Sequence, residues 1–141
     1  MDIFEEAVLA YISATPGRFV KPQYTLKYKD GFGGSCPDFV VIDYINKTIY
    51  VVEVTAAADA SSILSKISER ETRWFIPLKN EISQWDQSFN EWKYRVTIFC
   101  RKQLYDKIYN ESNYDVSVFN LDSVIFPWDW KWEQEQAVNP L

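Results

Sequence analysis

The chain contains no histidine. This absence excludes Ser-His-Asp and Cys-His nucleophilic sites, zinc sites with imidazole ligands and imidazole general bases. The two cysteines, Cys36 and Cys100, are too few and too far apart for a paired-cysteine zinc site or a disulfide framework. We expect both to be reduced, with Cys100 in the core. Any chemistry must therefore depend on carboxylates, lysine, tyrosine or a carboxylate-bound metal ion.

Glycine and proline are also scarce, with 4 and 6 copies in 141 residues, whereas 47% of the residues are hydrophobic and 17% are aromatic. This composition excludes a disordered, collagen-like or low-complexity chain. No apolar run is long enough to span a bilayer, and the N-terminus lacks the basic flank and cleavage signal of a secretory peptide. We expect a single domain over residues 1–141 that is cytoplasmic and has no membrane partner.

The net charge is −5, so the chain as a whole repels phosphate groups at long range. This balance counts against nonspecific binding of nucleic acid, unless a local basic surface overrides it.

Hydrophobic periodicity predicts an α/β fold with the order αβββαβαβ. The predicted elements span residues 2–14, 19–29, 38–42, 48–55, 60–74, 94–100, 101–109 and 114–119. Pro77 should end the second helix, residues 80–92 stay open, and 124–126 resemble a further strand. The order predicts a central mixed β-sheet flanked by helices. A glycine-rich loop over 30–37 should come directly before the second strand.

Two carboxylates stand out on the predicted hairpin of the second and third strands. If residues 46–47 form a two-residue loop, Asp38 faces Thr55 and Val40 faces Glu53. Asp38 and Glu53 are then diagonal neighbours on one face, close enough to converge on a cation. Hard oxygen ligands of this kind favour Mg²⁺ or Mn²⁺. The alternative is that each carboxylate is solvated at the end of its strand.

Basic residues follow on the next helix. Lys66, Arg70 and Arg73 have the spacing of one helical stripe, which can hold phosphates or stabilise developing charge. Alternatively, the stripe is a solvated surface that pairs with Glu69 and Glu71. Lys27 and Lys29 either support a substrate beside the glycine-rich loop or are surface charges.

The combination of Pro37-Asp38, a hairpin and Glu53-Val54-Thr55 after a leading helix resembles the PD-(D/E)XK nuclease-like superfamily. The resemblance covers about residues 2–100 and implies a restriction-endonuclease-like fold. It also implies Mg²⁺- or Mn²⁺-dependent cleavage of nucleic acid, with Asp38 and Glu53 as metal ligands and catalytic residues. The run Gly33-Gly34-Ser35 is similar to the approach to this motif in archaeal Holliday junction resolvases, and we expect these three residues to contact substrate. Arg73 is expected to contact substrate from the basic stripe.

Thr55 stands where that superfamily usually has a lysine. A Glu-x-Thr motif with a lysine about a dozen residues later resembles the cap-snatching endonucleases of segmented negative-strand RNA viruses. This resemblance implies that Lys66 replaces the missing lysine, with Arg70 as the next candidate. It also implies that Glu5 on the first helix is a third metal ligand, because family members without the metal-binding histidine use an early glutamate.

Glu5 has a second interpretation. The helical angle of 100° per residue puts Glu5 beside the buried stripe and Glu6 nearly opposite, so Glu5 can face the sheet. Asp2 and Glu5 also have the spacing of a capping box, which needs no metal.

The sequence thus favours a metal-dependent endonuclease, with DNA preferred as substrate and RNA as a further possibility. The alternatives are an inactive nuclease-like fold that serves as a binding or assembly module, and a subunit that acts only in a homodimer or beside a partner protein. Thr55 and the acidic charge balance favour the inactive binding or assembly module. We expect the tryptophan-rich segment over 128–132 to be packed; exposed, it would suggest a partner surface.

Overall fold

A computed structural model describes residues 1–28, 31–112 and 115–124. The helices are α1 (Ile3–Ser13), α2 (Ser61–Ser68), α3 (Ile76–Ile82) and α4 (Lys102–Glu111), with a π-helical turn at Glu71–Phe75 and a 3-10 turn at Gln87–Glu91. The strands are β1 (Arg18–Pro22), β2 (Leu26–Lys27), β3 (Gly34–Ser35), β4 (Phe39–Asp43), β5 (Thr48–Thr55), β6 (Lys93–Cys100) and β7 (Val116–Asn120).

Five strands form one mixed sheet in the order β1-β4-β5-β6-β7. The pairs β1–β4 and β4–β5 are antiparallel, whereas β5–β6 and β6–β7 are parallel and need helical crossovers between them. The predicted single α/β domain with a mixed sheet flanked by helices is confirmed. In the described ranges, no helix is both long and apolar enough to cross a membrane.

Each face of the sheet has its own hydrophobic core. On the first face, residues of α2, α3 and α4 pack against Val40, Val51 and Ile98, and Cys100 is buried there as expected. On the second face, α1 and the helical turn over 121–124 pack against residues such as Phe99. The two cores follow from the alternation of side chains along each strand.

The predicted first strand is divided in two. β1 ends at Pro22, and Gln23 has a φ of +50° while its N–H donates to the carbonyl of Asp38 at 2.8 Å. The chain then leaves the sheet, and β2 pairs with β3 as a separate hairpin. The predicted loop over 30–37 was therefore wrong for Gly34 and Ser35. Glycine is required at position 34, because a Cβ atom there would overlap the backbone oxygen of Leu26.

Pro77 does not end the helical segment that follows β5. It lies in the first turn of α3, where its missing N–H is tolerated, and the π-helical turn joins α2 to α3. Residues 80–92, left open by the sequence, contain the end of α3 and the 3-10 turn, which Asp86 caps by accepting the Ser88 N–H.

The predicted strand over 124–126 was wrong at Val124, which lies in the helical turn over 121–124. Leu121 and Val124 are both buried, and their spacing of three residues suits a helical turn better than a strand. The rest of that segment and the tryptophans at 128, 130 and 132 lie outside the described residues.

Candidate active site

The hairpin of β4 and β5 has a different register from the predicted one. Asp43 pairs with Thr48, so the loop contains four residues instead of two. The carboxylate of Asp43 forms this turn by accepting the N–H groups of Ile45 at 3.1 Å and Asn46 at 3.0 Å. It also accepts hydrogen bonds from the Asn46 amide at 3.0 Å and from Arg18 Nε at 3.4 Å.

The buried Asp43 carboxylate is thereby kept ionised. Burial alone would raise its pKa, but the hydrogen bonds from Asn46 and Arg18, together with the charge of Arg18, hold that pKa below its usual value.

The shift of register is two residues, so every side chain keeps its face. Continuing the observed pairing by one residue puts Asp38 opposite Glu53 rather than diagonal to it. Directly opposite residues have Cβ atoms about 4.5–5.5 Å apart, which is closer than the predicted arrangement. The structure thus brings the two predicted carboxylates together on the face that α2 covers.

Two hydrogen bonds hold Asp38 and Glu53 in place. Asp38 Oδ2 accepts the N–H of Val54 at 2.7 Å, and the N–H of Asp38 donates to Glu53 Oε2 at 3.4 Å. Glu53 is only 6% exposed. Burial and then the adjacent Glu53 carboxylate raise the pKa of Asp38 to about 7, and the hydrogen bonds with the Val54 N–H and the Glu5 side chain offset only part of this rise.

Glu5 forms the predicted capping box and also lies near Asp38. Its carboxylate accepts the N–H of Asp2 at 3.1 Å while Asp2 accepts the N–H of Glu5 at 2.8 Å, which completes the capping box. The same carboxyl group lies within hydrogen-bonding reach of Asp38. Burial raises the pKa of Glu5, with the charges of Asp38 and Asp2 adding to the effect and the bond from the Asp2 backbone opposing it.

Asp38 interacts with both Glu53 and Glu5. Across residues 1–28, 31–112 and 115–124, however, no three or more Asp, Glu, Cys or His side chains are grouped as a ready metal-binding cluster. Asp38 and Glu53 are therefore the two closely placed oxygen donors, and the role of Glu5 as a third ligand stays a prediction.

Lys66 reaches the carboxylate pair from the last turn of α2. Its Nζ lies 3.6 Å from Glu53 Oε1, and its side chain is 35% exposed, so the ammonium group contacts both Glu53 and solvent. Thr55, at the end of β5, accepts the N–H of Ala57 at 3.2 Å through its hydroxyl. The positive charge next to Glu53 therefore comes from the helix and not from the strand.

Arg70 and Arg73 do not extend this contact. Arg70 Nε lies 2.7 Å from Asp115 Oδ2, and its Nη1 donates to the Ile67 carbonyl at 3.0 Å. Arg73 pairs with Glu69 at 3.6 Å, the alternative that the sequence left open. The π-helical turn starts directly after Arg70 and changes the helical spacing, so the three basic residues do not continue as one straight stripe.

The predicted substrate residues lie around the small hairpin. Lys27 is exposed on β2 and pairs with Gly34 of β3, and Gly33 has a φ of +75°. The hydroxyl of Ser35 accepts the indole N–H of the fully buried Trp74 at 3.0 Å, which gives Ser35 a structural contact. Lys29 lies outside the described residues.

Sequence reasoning missed the ion pairs that fix the surroundings of the site. Asp115 anchors Arg70, and Asp43 with Arg18 fixes the hairpin that carries both carboxylates. Only Asp43 had a local signal, because an Asp side chain at the start of a turn commonly accepts the backbone N–H two residues later.

Comparisons with protein families, curated proteins and solved structures found no match for this chain. The interpretation of the site therefore depends on its own residues.

Proposed function

We propose that the protein is a Mg²⁺- or Mn²⁺-dependent phosphodiesterase of restriction-endonuclease-like fold that cleaves nucleic acid, with DNA preferred and RNA as the second substrate class. The observation that carries the proposal is the pair of the partly buried Asp38 and the buried Glu53, with Lys66 Nζ 3.6 Å from Glu53. Two opposed carboxylates and one ammonium group leave an excess of negative charge in a mostly buried place, which a divalent cation would neutralise.

The donor set suits Mg²⁺ or Mn²⁺. Both ions prefer oxygen ligands, and Mg²⁺ is commonly held by one or two carboxylates while water and substrate phosphates complete its coordination. Asp38 and Glu53 would hold the ion, with Glu5 beside Asp38 as the predicted third ligand. Bound there, such an ion would acidify a water molecule and neutralise charge on the phosphate and the leaving oxygen.

The remaining work falls to the side chains of this chain. Glu53 positions Lys66 through their ion pair, and the Lys66 ammonium group orients the attacking water and stabilises negative charge that develops on the phosphate. Thr55 is neutral and bonded to the following turn, so it takes no part in this stabilisation.

The test is cleavage of labelled single-stranded RNA, single-stranded DNA and duplex DNA in millimolar Mn²⁺ or Mg²⁺, with chelator as the blank. Glu53→Gln should abolish cleavage and retain the fold, while Glu91→Gln, at an exposed position of the 3-10 turn, should cleave normally. Lys66→Ala should lower turnover by about 10²-fold or more but change Mn²⁺ affinity by less than about threefold, because lysine is not a metal ligand. Lys93→Ala, at an exposed lysine, is its control.

A second candidate is a nuclease-like binding or assembly module without catalytic activity. Thr55 favours this module, because it is uncharged and stands at the strand position where the nuclease superfamily usually has its lysine. Mn²⁺ binding by calorimetry without cleavage of any substrate would support this module or a subunit that needs a partner. No binding at millimolar Mn²⁺ would reject the metal site altogether.

A further inference from the structure

The second face of the sheet carries a groove that is separate from the carboxylate pair. It consists of two adjoining cavities, of about 420 and 560 Å³, and both are lined by Tyr11 and Phe119. These two rings are 49% and 40% exposed, although Phe119 stacks on the buried Phe99 with ring centroids 5.2 Å apart. An aromatic floor of this kind is typical of a surface that another segment covers.

The two ends of the groove differ in chemistry. The larger cavity is bounded by Ser123 and Val124, the last described residues of the chain. The smaller cavity holds two arginines, Arg18 and Arg95. Arg18 also pairs with Asp43, and Arg95 donates to the Ser117 hydroxyl. Because a guanidinium group has five N–H donors, one arginine can contact several acceptors at the same time.

The sequence after Val124 has the same order of chemistry as the groove. In the sequence, residues 125–141 follow Val124 and contain first three tryptophans, at 128, 130 and 132, and then Glu133 and Glu135. Starting from Val124, the groove likewise offers first the aromatic floor and then the arginines.

We propose that the C-terminal segment 126–141 docks in this groove of its own chain, with its tryptophans on Tyr11 and Phe119 and its glutamates at Arg18 and Arg95. The reach is sufficient. Phe119 pairs with Phe99 in the sheet, and Arg95 lies only four residues before Phe99 on β6, which is roughly 13 Å along a strand. Nine residues from 125 to 133 span up to about 30 Å when extended.

Hydrogen–deuterium exchange on the full-length protein, followed by mass spectrometry, tests the docking. Peptides from 126–141 should be protected in the wild type, and Phe119→Glu should speed their exchange at least about tenfold because it places a charge on the aromatic floor and repels the glutamates. Tyr109→Glu, at a ring that is 60% exposed on α4, is the matched control and should leave the protection unchanged.

Two further measurements complete the test. Trp130→Glu should release the segment with the groove intact, which keeps the proposal testable if Phe119→Glu fails to fold. Exchange in the wild type at the rate of a free peptide would overturn the proposal. Protection that disappears on dilution, together with a dimer in sedimentation, would overturn it in favour of a second copy of the chain in the groove.

Discussion

Asp38→Asn should stabilise the metal-free protein at pH 8, although it removes a residue of the proposed site. In the folded protein the pKa of Asp38 rises from 3.8 to about 7, because of burial and then because of Glu53. Between pH 3.8 and about pH 7, the folded state therefore still binds a proton that the unfolded state has already released. Stability contributed by the protonated carboxyl therefore falls as the pH rises through this window and is absent above it.

The size of the effect follows from the same pKa. At about 1.4 kcal/mol per pH unit, the full difference would be an upper limit of about 4 kcal/mol. Because Asp38 is partly exposed, solvent screening reduces this figure, and we expect about 1–2 kcal/mol. For a chain of 141 residues this corresponds to a melting temperature about 3–6 °C higher for the variant at pH 8. An asparagine oxygen still accepts the Val54 N–H, so the strand contact is retained.

The assay is thermal unfolding in chelator across pH 4 to 8, repeated in millimolar Mn²⁺. The difference between variant and wild type should grow with pH, and Mn²⁺ should raise the melting temperature of the wild type alone. Glu91→Gln removes one exposed negative charge and controls for the net charge of −5. A difference that is independent of pH, or that matches the control, would refute the reasoning about the carboxylate pair.

Three further changes test the scaffold around the site. Asp43→Ala should lower the free energy of unfolding by about 2–4 kcal/mol in urea titrations, because it leaves buried hydrogen-bond donors unpaired. The pKa of Asp43 is lowered in the folded state, so the wild type should lose the same stability only below about pH 4. Gly34→Ala should lower the free energy of unfolding by about 3 kcal/mol. Gly31→Ala is the control and should lower it by only about 1 kcal/mol, because no atom lies within 4 Å of the added Cβ. Equal losses would argue against the close approach at position 34. Arg70→Ala should destabilise the protein by about 1–2 kcal/mol through loss of its bond to Asp115, and it should leave turnover per folded molecule unchanged. Reduced turnover at full stability would instead indicate that Arg70 takes part in the reaction.

Local patterns in the sequence were sufficient for most of the architecture. The capping box, the apolar strands β4 and β5 and the alternating β6 were predictable because the responsible interactions connect residues that are close along the chain. The pairing of Asp38 with Glu53 on one face was predictable for the same reason. Side chains alternate along a strand, so a hairpin that shifts by two residues leaves both carboxylates on the same face.

Tertiary structure decided the features that depend on distant partners. The hairpin register depends on the buried Asp43 and on Arg18, which lies 25 residues earlier in the chain. Pro77 is accommodated because a π-helical turn precedes it, and no periodicity in the sequence indicated that turn.

The contrast between Lys66 and Arg70 shows the same division at the site. Both lie on one stripe by sequence spacing, but Lys66 contacts Glu53 whereas Arg70 contacts Asp115, 45 residues later. Spacing along a helix determines which side chains share a face, whereas the strands packed against that face determine which partner each side chain meets. The sequence alone therefore determined that Asp38 and Glu53 share a face, and only the packing of α2 on the sheet decided which cation stands beside them.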